Sequence, residues 1–161
     1  MIEYVFAETG KPLAQARILF TEYAASLSFE LCFQHFDQEL AALPGDYAPP
    51  SGCLIVAQWQ GQPAGCVALR QLQPEICEMK RMFVRSQYRG KGIGRGLAEA
   101  VIHQAQEIGY TKMRLDTHPS MVAAVALYRT LGFRTIQPYY DNPIPGALYF
   151  ELDLNQMGKL Q

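Results

Sequence analysis

The 161-residue chain is 49% hydrophobic and 18% charged, with a formal net charge of -1, a balance that excludes disorder and gives the whole molecule no field for a polyanion such as nucleic acid. No stretch approaches the roughly 18 consecutive apolar residues that span a bilayer, and Met1-Ile2-Glu3-Tyr4-Val5-Phe6 lacks the basic start of a signal peptide, so the expectation is one domain over residues 1–161, cytoplasmic, with neither membrane nor nucleic acid as partner. Cysteines at 32, 53, 66 and 77 form no C-x-x-C pair and histidines at 35, 103 and 118 are scattered, which predicts reduced, mostly buried thiols and no metal.

Residues 2–7 read as a short strand. Lys11-Pro12 opens a helix whose apolar residues Leu13, Ala16, Phe20, Tyr23, Ala24 and Leu27 share one face. A second helix is predicted from Ser28 as N-cap through Phe29, Cys32, Phe33, Phe36, Leu40 and Leu43, stopped by Pro44-Gly45. After a loop at 48–52, the apolar runs 53–58 and 64–69 form a hairpin around Gln60-Gly61-Gln62-Pro63. Gln73-Pro74 breaks the chain before Ile76–Val84, a strand unusual in carrying Glu78, Lys80 and Arg81.

Ile93, Leu97, Val101 and Ile108 mark a long helix ending near Gly109, and residues 112–116 make a short strand. Pro119-Ser120 starts a helix running to Leu131, with Gly132 where a left-handed cap residue is common. Residues 133–136 and 147–154 are the last two strands, separated by a loop holding Pro138, Tyr139, Tyr140, Asp141, Asn142, Pro143 and Pro145. Strand, two helices, three strands, helix, strand, helix and two strands describe an α/β or α+β domain on one mixed sheet.

The densest chemical signal is Arg89-Gly90-Lys91-Gly92-Ile93-Gly94-Arg95-Gly96, directly after a strand and at a helix start. Glycines let the backbone turn tightly and present N–H groups, and the helix N-terminus adds partial positive charge, a combination suited to phosphate or pyrophosphate. The spacing fits neither a Walker loop nor the dinucleotide fingerprint G-x-G-x-x-G, whose third glycine position holds Arg95 or Leu97.

The segment Arg89-Gly90-Lys91-Gly92-Ile93-Gly94 resembles the acyl-CoA signature R/Q-x-x-G-x-G/A of the GNAT superfamily of N-acetyltransferases. Glu78-Met79-Lys80-Arg81-Met82-Phe83-Val84 resembles that family's central fourth strand, and Ala126-Leu127-Tyr128-Arg129-Thr130-Leu131-Gly132-Phe133 its helix ending L-Y-x-x-L-G-F. The resemblance implies a mixed, mostly antiparallel central sheet of about seven strands flanked by about four helices, with strands 4 and 5 splayed apart. It implies acetyl-CoA as co-substrate and an amine as acceptor, with a homodimer left open.

By the same resemblance Arg89, Gly90, Lys91, Gly92, Ile93, Gly94 and Arg95 cradle the coenzyme pyrophosphate, while Met82, Phe83 and Val84 border its pantetheine arm. The Met82 amide falls where relatives polarise the thioester carbonyl. Tyr128 matches a tyrosine that protonates the leaving thiolate, and Met121, Ala124 and Tyr128 fall on one helical face; the alternative for Tyr128 is a core aromatic. Glu78 occupies the position of a glutamate base in the histone acetyltransferase branch, which suits deprotonation of an amine, unless it merely pairs with Lys80 or Arg81. Met121 replaces an asparagine common in relatives and cannot supply its hydrogen bond.

For the acceptor, Phe29, Phe33, Tyr139, Tyr140, Asp141 and Asn142 are candidates to line the mouth. An acidic rim of Glu75, Glu78 and Asp141 would suit a cationic amine, and Arg70, Lys80 and Arg81 an acceptor that also carries a carboxylate. The expectation is a small amine or amino-acid-like metabolite, with a protein lysine or N-terminus as the second reading and a non-catalytic acyl-CoA sensor as the third.

Overall fold

The computed structural model describes residues 1–27 and 35–155. In chain order the elements are β1 (Ile2–Phe6), α1 (Gly10–Ser26), α2 (Phe36–Ala42), β2 (Cys53–Trp59), β3 (Gln62–Gln73), β4 (Ile76–Val84), α3 (Ile93–Ile108), β5 (Lys112–Thr117), α4 (Val122–Thr130), β6 (Arg134–Thr135) and β7 (Leu148–Asp153). The expected cap Ser28 and face residues Phe29, Cys32 and Phe33 lie outside the described residues, and what is described of that helix begins at Phe36.

The seven strands form one sheet in the order β1-β2-β3-β4-β5-β7-β6. Every pair is antiparallel except β4 with β5, so the sheet is mixed and mostly antiparallel. The β2–β3 hairpin is tighter than the four-residue turn expected from sequence. Trp59 pairs with Gln62, and only Gln60 (φ 52°) and Gly61 (φ 82°) turn the chain, both in the left-handed region that two-residue hairpins require. Pro63 therefore sits at the start of β3, where its missing donor is tolerated, and the strand runs on to Gln73.

Helices cover both faces. On one, Ile93, Leu97, Val101 and Ile102 of α3 pack on Leu69, Met79, Met113 and Phe150 from the strands; on the other, Ala16, Leu19 and Phe20 of α1 pack on Leu54, Val56, Cys66 and Ala68. Each such fully buried Leu or Phe stabilises the fold by about 1.5–3 kcal/mol. Both long-range stops expected from sequence are present: Gly109 (φ 110°) ends α3 and Gly132 (φ 102°) follows α4, with the Phe133 N–H reaching back 3.0 Å to the Tyr128 carbonyl.

α4 starts later than Pro119-Ser120. The His118 ring bonds both the Ser120 hydroxyl (2.8 Å) and its N–H (3.2 Å), holding that stretch in a turn, so the first helical bond runs from the Val125 N–H to Met121 O at 3.0 Å. Cys53, Cys66 and Cys77 are buried free thiols, and burial pushes the Cys53 thiol up to about 12. Among the described residues no helix is long and apolar enough to cross a membrane, and no three His, Cys, Asp or Glu side chains gather as a metal site.

Candidate active site

The site is made by a fault in β4. Its pairing with β5 covers only Ile76–Glu78 against Lys112–Arg114, and on its other edge the register against β3 slips between Cys66 and Ala68. The extra residue is Arg81, at φ 59°, a left-handed conformation that a long side chain takes only when its surroundings impose it. They do so here. The Arg81 guanidinium is buried and bidentate to Glu39 of α2, at 2.9 Å through both nitrogens, and lies over the Phe36 ring at 5.3 Å.

Beyond the bulge the Arg85 N–H returns to Ala64 O at 2.8 Å. Strand alternation then turns the main-chain groups of Val84 and Met82 away from β3, toward the gap left by β5. That gap is a groove of about 640 Å³. Met82, Phe83, Val84, Arg89, Gly90, Gly92, Ile93, Gly94, Met121 and Ala124 all line it, together with Tyr23, Tyr88 and Leu127.

Gly90 (φ 80°) and Gly92 (φ 79°) form the turn into α3, and a Cβ built on either would meet no atom within 4 Å. Both therefore face open space while their left-handed backbones keep the turn tight. The first N–H groups of α3 have no intrahelical acceptor and are available to an anion. Lys91 and Arg95 are not walls of the groove: Lys91 sits over the Trp59 ring at 5.0 Å and Arg95 pairs with Glu99 at 3.3 Å.

Farther along the same gap between β4 and β5 lies a second, smaller cavity of about 50 Å³, walled by Tyr23, Lys80, Met82, Asp116, Met121, Tyr128 and Asn142 among others. Tyr23, Met82 and Met121 belong to both cavities, which therefore meet there. Tyr128 is 5% exposed, with its ring edge-on to Phe133 and near Phe150, and its hydroxyl has no hydrogen-bond partner among the described residues. Burial, aided by the charge of nearby Asp116, raises its pKa, so the hydroxyl keeps its proton.

Glu78 is 1% exposed and is a wall of neither cavity. Its Oε1 accepts from Arg70 Nε at 2.8 Å and its Oε2 from the Tyr139 hydroxyl at 2.7 Å. Burial alone would raise its pKa, but Lys80, Arg70 and the Tyr139 hydrogen bond outweigh that and hold the carboxyl below its usual range. Burial conversely draws the Lys80 pKa down, opposed by Glu78.

Glu75 and Asp141, expected on an acidic rim, are exposed and line neither cavity. Glu75 precedes β4, at the end remote from the bulge, and Asp141 points outward while Tyr140 and Asn142 turn in. The carboxylate that does line the smaller cavity is Asp116, which sequence reasoning passed over. Its signal was available: in β5, Lys112, Arg114 and Asp116 alternate with buried Met113 and Leu115, so one face of an inner strand is wholly charged. Phe29 and Phe33 lie outside the described residues.

A split sheet with a glycine turn opening a helix beside the split, and a narrow polar cavity meeting the groove at one strand, is the architecture of an acyl-group transferase. The family model described as "Acetyltransferase (GNAT) family" matches residues 13–133, and the chain belongs to that family. It is an N-acetyltransferase. An uncharacterized N-acetyltransferase of Schizosaccharomyces pombe is 39% identical over 142 residues, covering 87% of each chain. The N-acetylaspartate synthetase of Danio rerio is 38% identical over 122 residues, covering 74% of this chain but only 43% of that protein. Among solved structures, an acetyltransferase from Salmonella typhimurium with its cofactor acetyl-CoA superposes with a TM-score of 0.69 at 18% identity, covering 97% of this chain and 95% of that one, a likeness of fold.

Proposed function

We propose that the protein transfers the acetyl group of acetyl-CoA to the primary amine of a small metabolite that also carries a carboxylate. The observation that carries this reading is the meeting of the two cavities at Tyr23, Met82 and Met121. A long groove suits the coenzyme and its pyrophosphate, and the small polar cavity suits an amine head-group. The reading of the acceptor as carboxylate-bearing is supported by Lys80 in the cavity wall and by relatives named for the synthesis of an N-acetylated amino acid.

In this reading the α3 N-terminus and Arg89 hold the pyrophosphate, with Gly90, Gly92 and Gly94 leaving room for it. Main-chain groups of Met82 and Val84 pair with the pantetheine arm, and the Met82 N–H holds the thioester oxygen as negative charge develops on it. Tyr128 gives its proton to the departing sulfur. Glu78 anchors Tyr139, and so the loop over the acceptor, instead of serving as the base. The test is free-thiol release from acetyl-CoA with glycine, L-aspartate and n-butylamine as acceptors. Turnover is expected with the amino acids and weak or absent with n-butylamine; preference for n-butylamine overturns the carboxylate requirement, and turnover only with peptides moves the assignment to a protein acceptor.

A further inference from the structure

We propose that Asp116 is the carboxylate that receives the acceptor's amino group and takes its proton as the new bond forms; this rests on the acetyl-transfer reading above. Glu78 on β4 and Asp116 near the end of β5 lie on one face of the sheet, and their surroundings separate them. Glu78 has a donor on each oxygen and no access to either cavity. Asp116 opens on the cavity that also holds Met82 and Tyr128.

The hydrogen bonds on Asp116 are one-sided. Its Oδ2 accepts from the Tyr140 hydroxyl at 2.6 Å and from Asn142 Nδ2 at 3.1 Å, and no donor among the described residues reaches Oδ1. The two donors are themselves fixed, because Asn142 Nδ2 also bonds the Tyr140 oxygen at 3.1 Å and Asn142 Oδ1 accepts the Ile144 N–H at 2.9 Å. One oxygen thus orients the carboxylate and the other is presented for an N–H, an arrangement that positions a proton acceptor without satisfying it internally.

The step balances as follows. The amine nitrogen bonds to the acetyl carbon while the carbon–sulfur bond breaks. The electron pair of that bond leaves with sulfur, which takes the Tyr128 proton, and the proton lost by nitrogen goes to Asp116 Oδ1. Exchange with solvent restores both side chains. Tyr128 and Asp116 act on the two partners from one cavity.

The experiment compares Asp116→Asn and Glu78→Gln with wild type in acetyl transfer to glycine and L-aspartate, alongside calorimetric acetyl-CoA affinity and the melting temperature. Asp116→Asn is expected to lower kcat/KM for the amine by roughly 10²–10⁴-fold, with coenzyme affinity kept within about threefold, the melting temperature near wild type and Glu78→Gln losing less than about tenfold. Aminolysis within about threefold of wild type in Asp116→Asn overturns the assignment. So does a parallel loss of coenzyme affinity and melting temperature, which would make Asp116 a structural support, or a larger loss in Glu78→Gln. A wild-type enzyme that binds acetyl-CoA but acetylates neither amino acid fails the functional reading first, and takes this assignment with it.

Discussion

The groove at the Val84 end of the gap between β4 and β5 is about 640 Å³ and is walled largely by glycines and apolar or aromatic side chains, whereas the cavity farther along the same gap is about 50 Å³ and has Lys80, Asp116, Tyr128 and Asn142 among its walls. The first draws mainly on two contiguous stretches, residues 82–94 and 120–127, with the end of α1. The second gathers side chains from β4, β5, α4 and the loop before β7, held by bonds such as Tyr139 to Glu78, 61 residues apart. A site made of backbone recognises what every member of a coenzyme class shares. A site made of crossing side-chain bonds can be retuned one residue at a time, which is where acceptor choice belongs.

The contrast breaks hardest at Gly94. Its φ is not left-handed, and an added Cβ would meet only Val84 Cγ2 at 3.7 Å and Leu127 Cδ2 at 3.9 Å, which is ordinary contact. Gly94→Glu therefore leaves the helix intact and places a carboxylate in the groove. Like charges about 4 Å apart at an effective dielectric of about 20 repel by roughly 4 kcal/mol, so acetyl-CoA affinity should fall by about 10³-fold, with a far-UV circular dichroism spectrum unchanged. Calorimetry checks it; unchanged affinity would remove the turn from the coenzyme site.

Tyr128→Phe probes the point where the two regions meet. The variant keeps the ring contacts to Phe133 and Phe150 and loses only a hydroxyl with no partner among the described residues. If that hydroxyl serves the departing sulfur, kcat should fall by roughly 10²-fold while the KM for acetyl-CoA and the melting temperature stay near wild type. A kcat within about twofold of wild type would leave Tyr128 a packing residue.

The same division explains what could be read in advance. Arg89, Gly90, Gly92, Ile93 and Gly94 belong to one contiguous motif, and Met121 and Ala124 to one helical turn, so the family resemblance carried by those segments was enough to expect them on the groove. That Lys91 and Arg95 turn to Trp59 and Glu99 did not, because each partner lies outside the motif's logic. The bulge at Arg81 carries no glycine or proline to announce it; Glu39, 42 residues earlier, draws the guanidinium inward. The charged face of β5 could have pointed to Asp116, but what singles it out from Lys112 and Arg114 is the approach of Tyr140 and Asn142 from 24 and 26 residues away. The order of elements along the chain and the two capping glycines, which depend on local chemistry, were legible; the smaller cavity, which depends on long-range closure, was not.

The smallest effect tests whether Glu78 belongs to the framework of the acceptor side. Glu78→Gln keeps the shape and can still accept from Tyr139, but it turns an uncharged amide toward Arg70, so at neutral pH it should cost about 1–3 kcal/mol of stability. The pH dependence carries the diagnosis. The folded-state pKa of Glu78 is lowered below the ordinary value of 4.5, so its unfolded form binds the proton more readily. Its stabilisation is therefore complete above about pH 4.5 and is lost as pH falls through the lower folded value. Urea unfolding of both proteins across this range should show a gap that is constant near neutrality and narrows below about pH 4.5, with acetyl-CoA affinity at pH 7 the same in both. A gap that ignores pH would mean that shape, and not the charge shared with Arg70 and Lys80, is what Glu78 contributes. A change in coenzyme affinity would mean that the groove and the cavity are coupled through β4, and that the division between them does not hold at their shared wall.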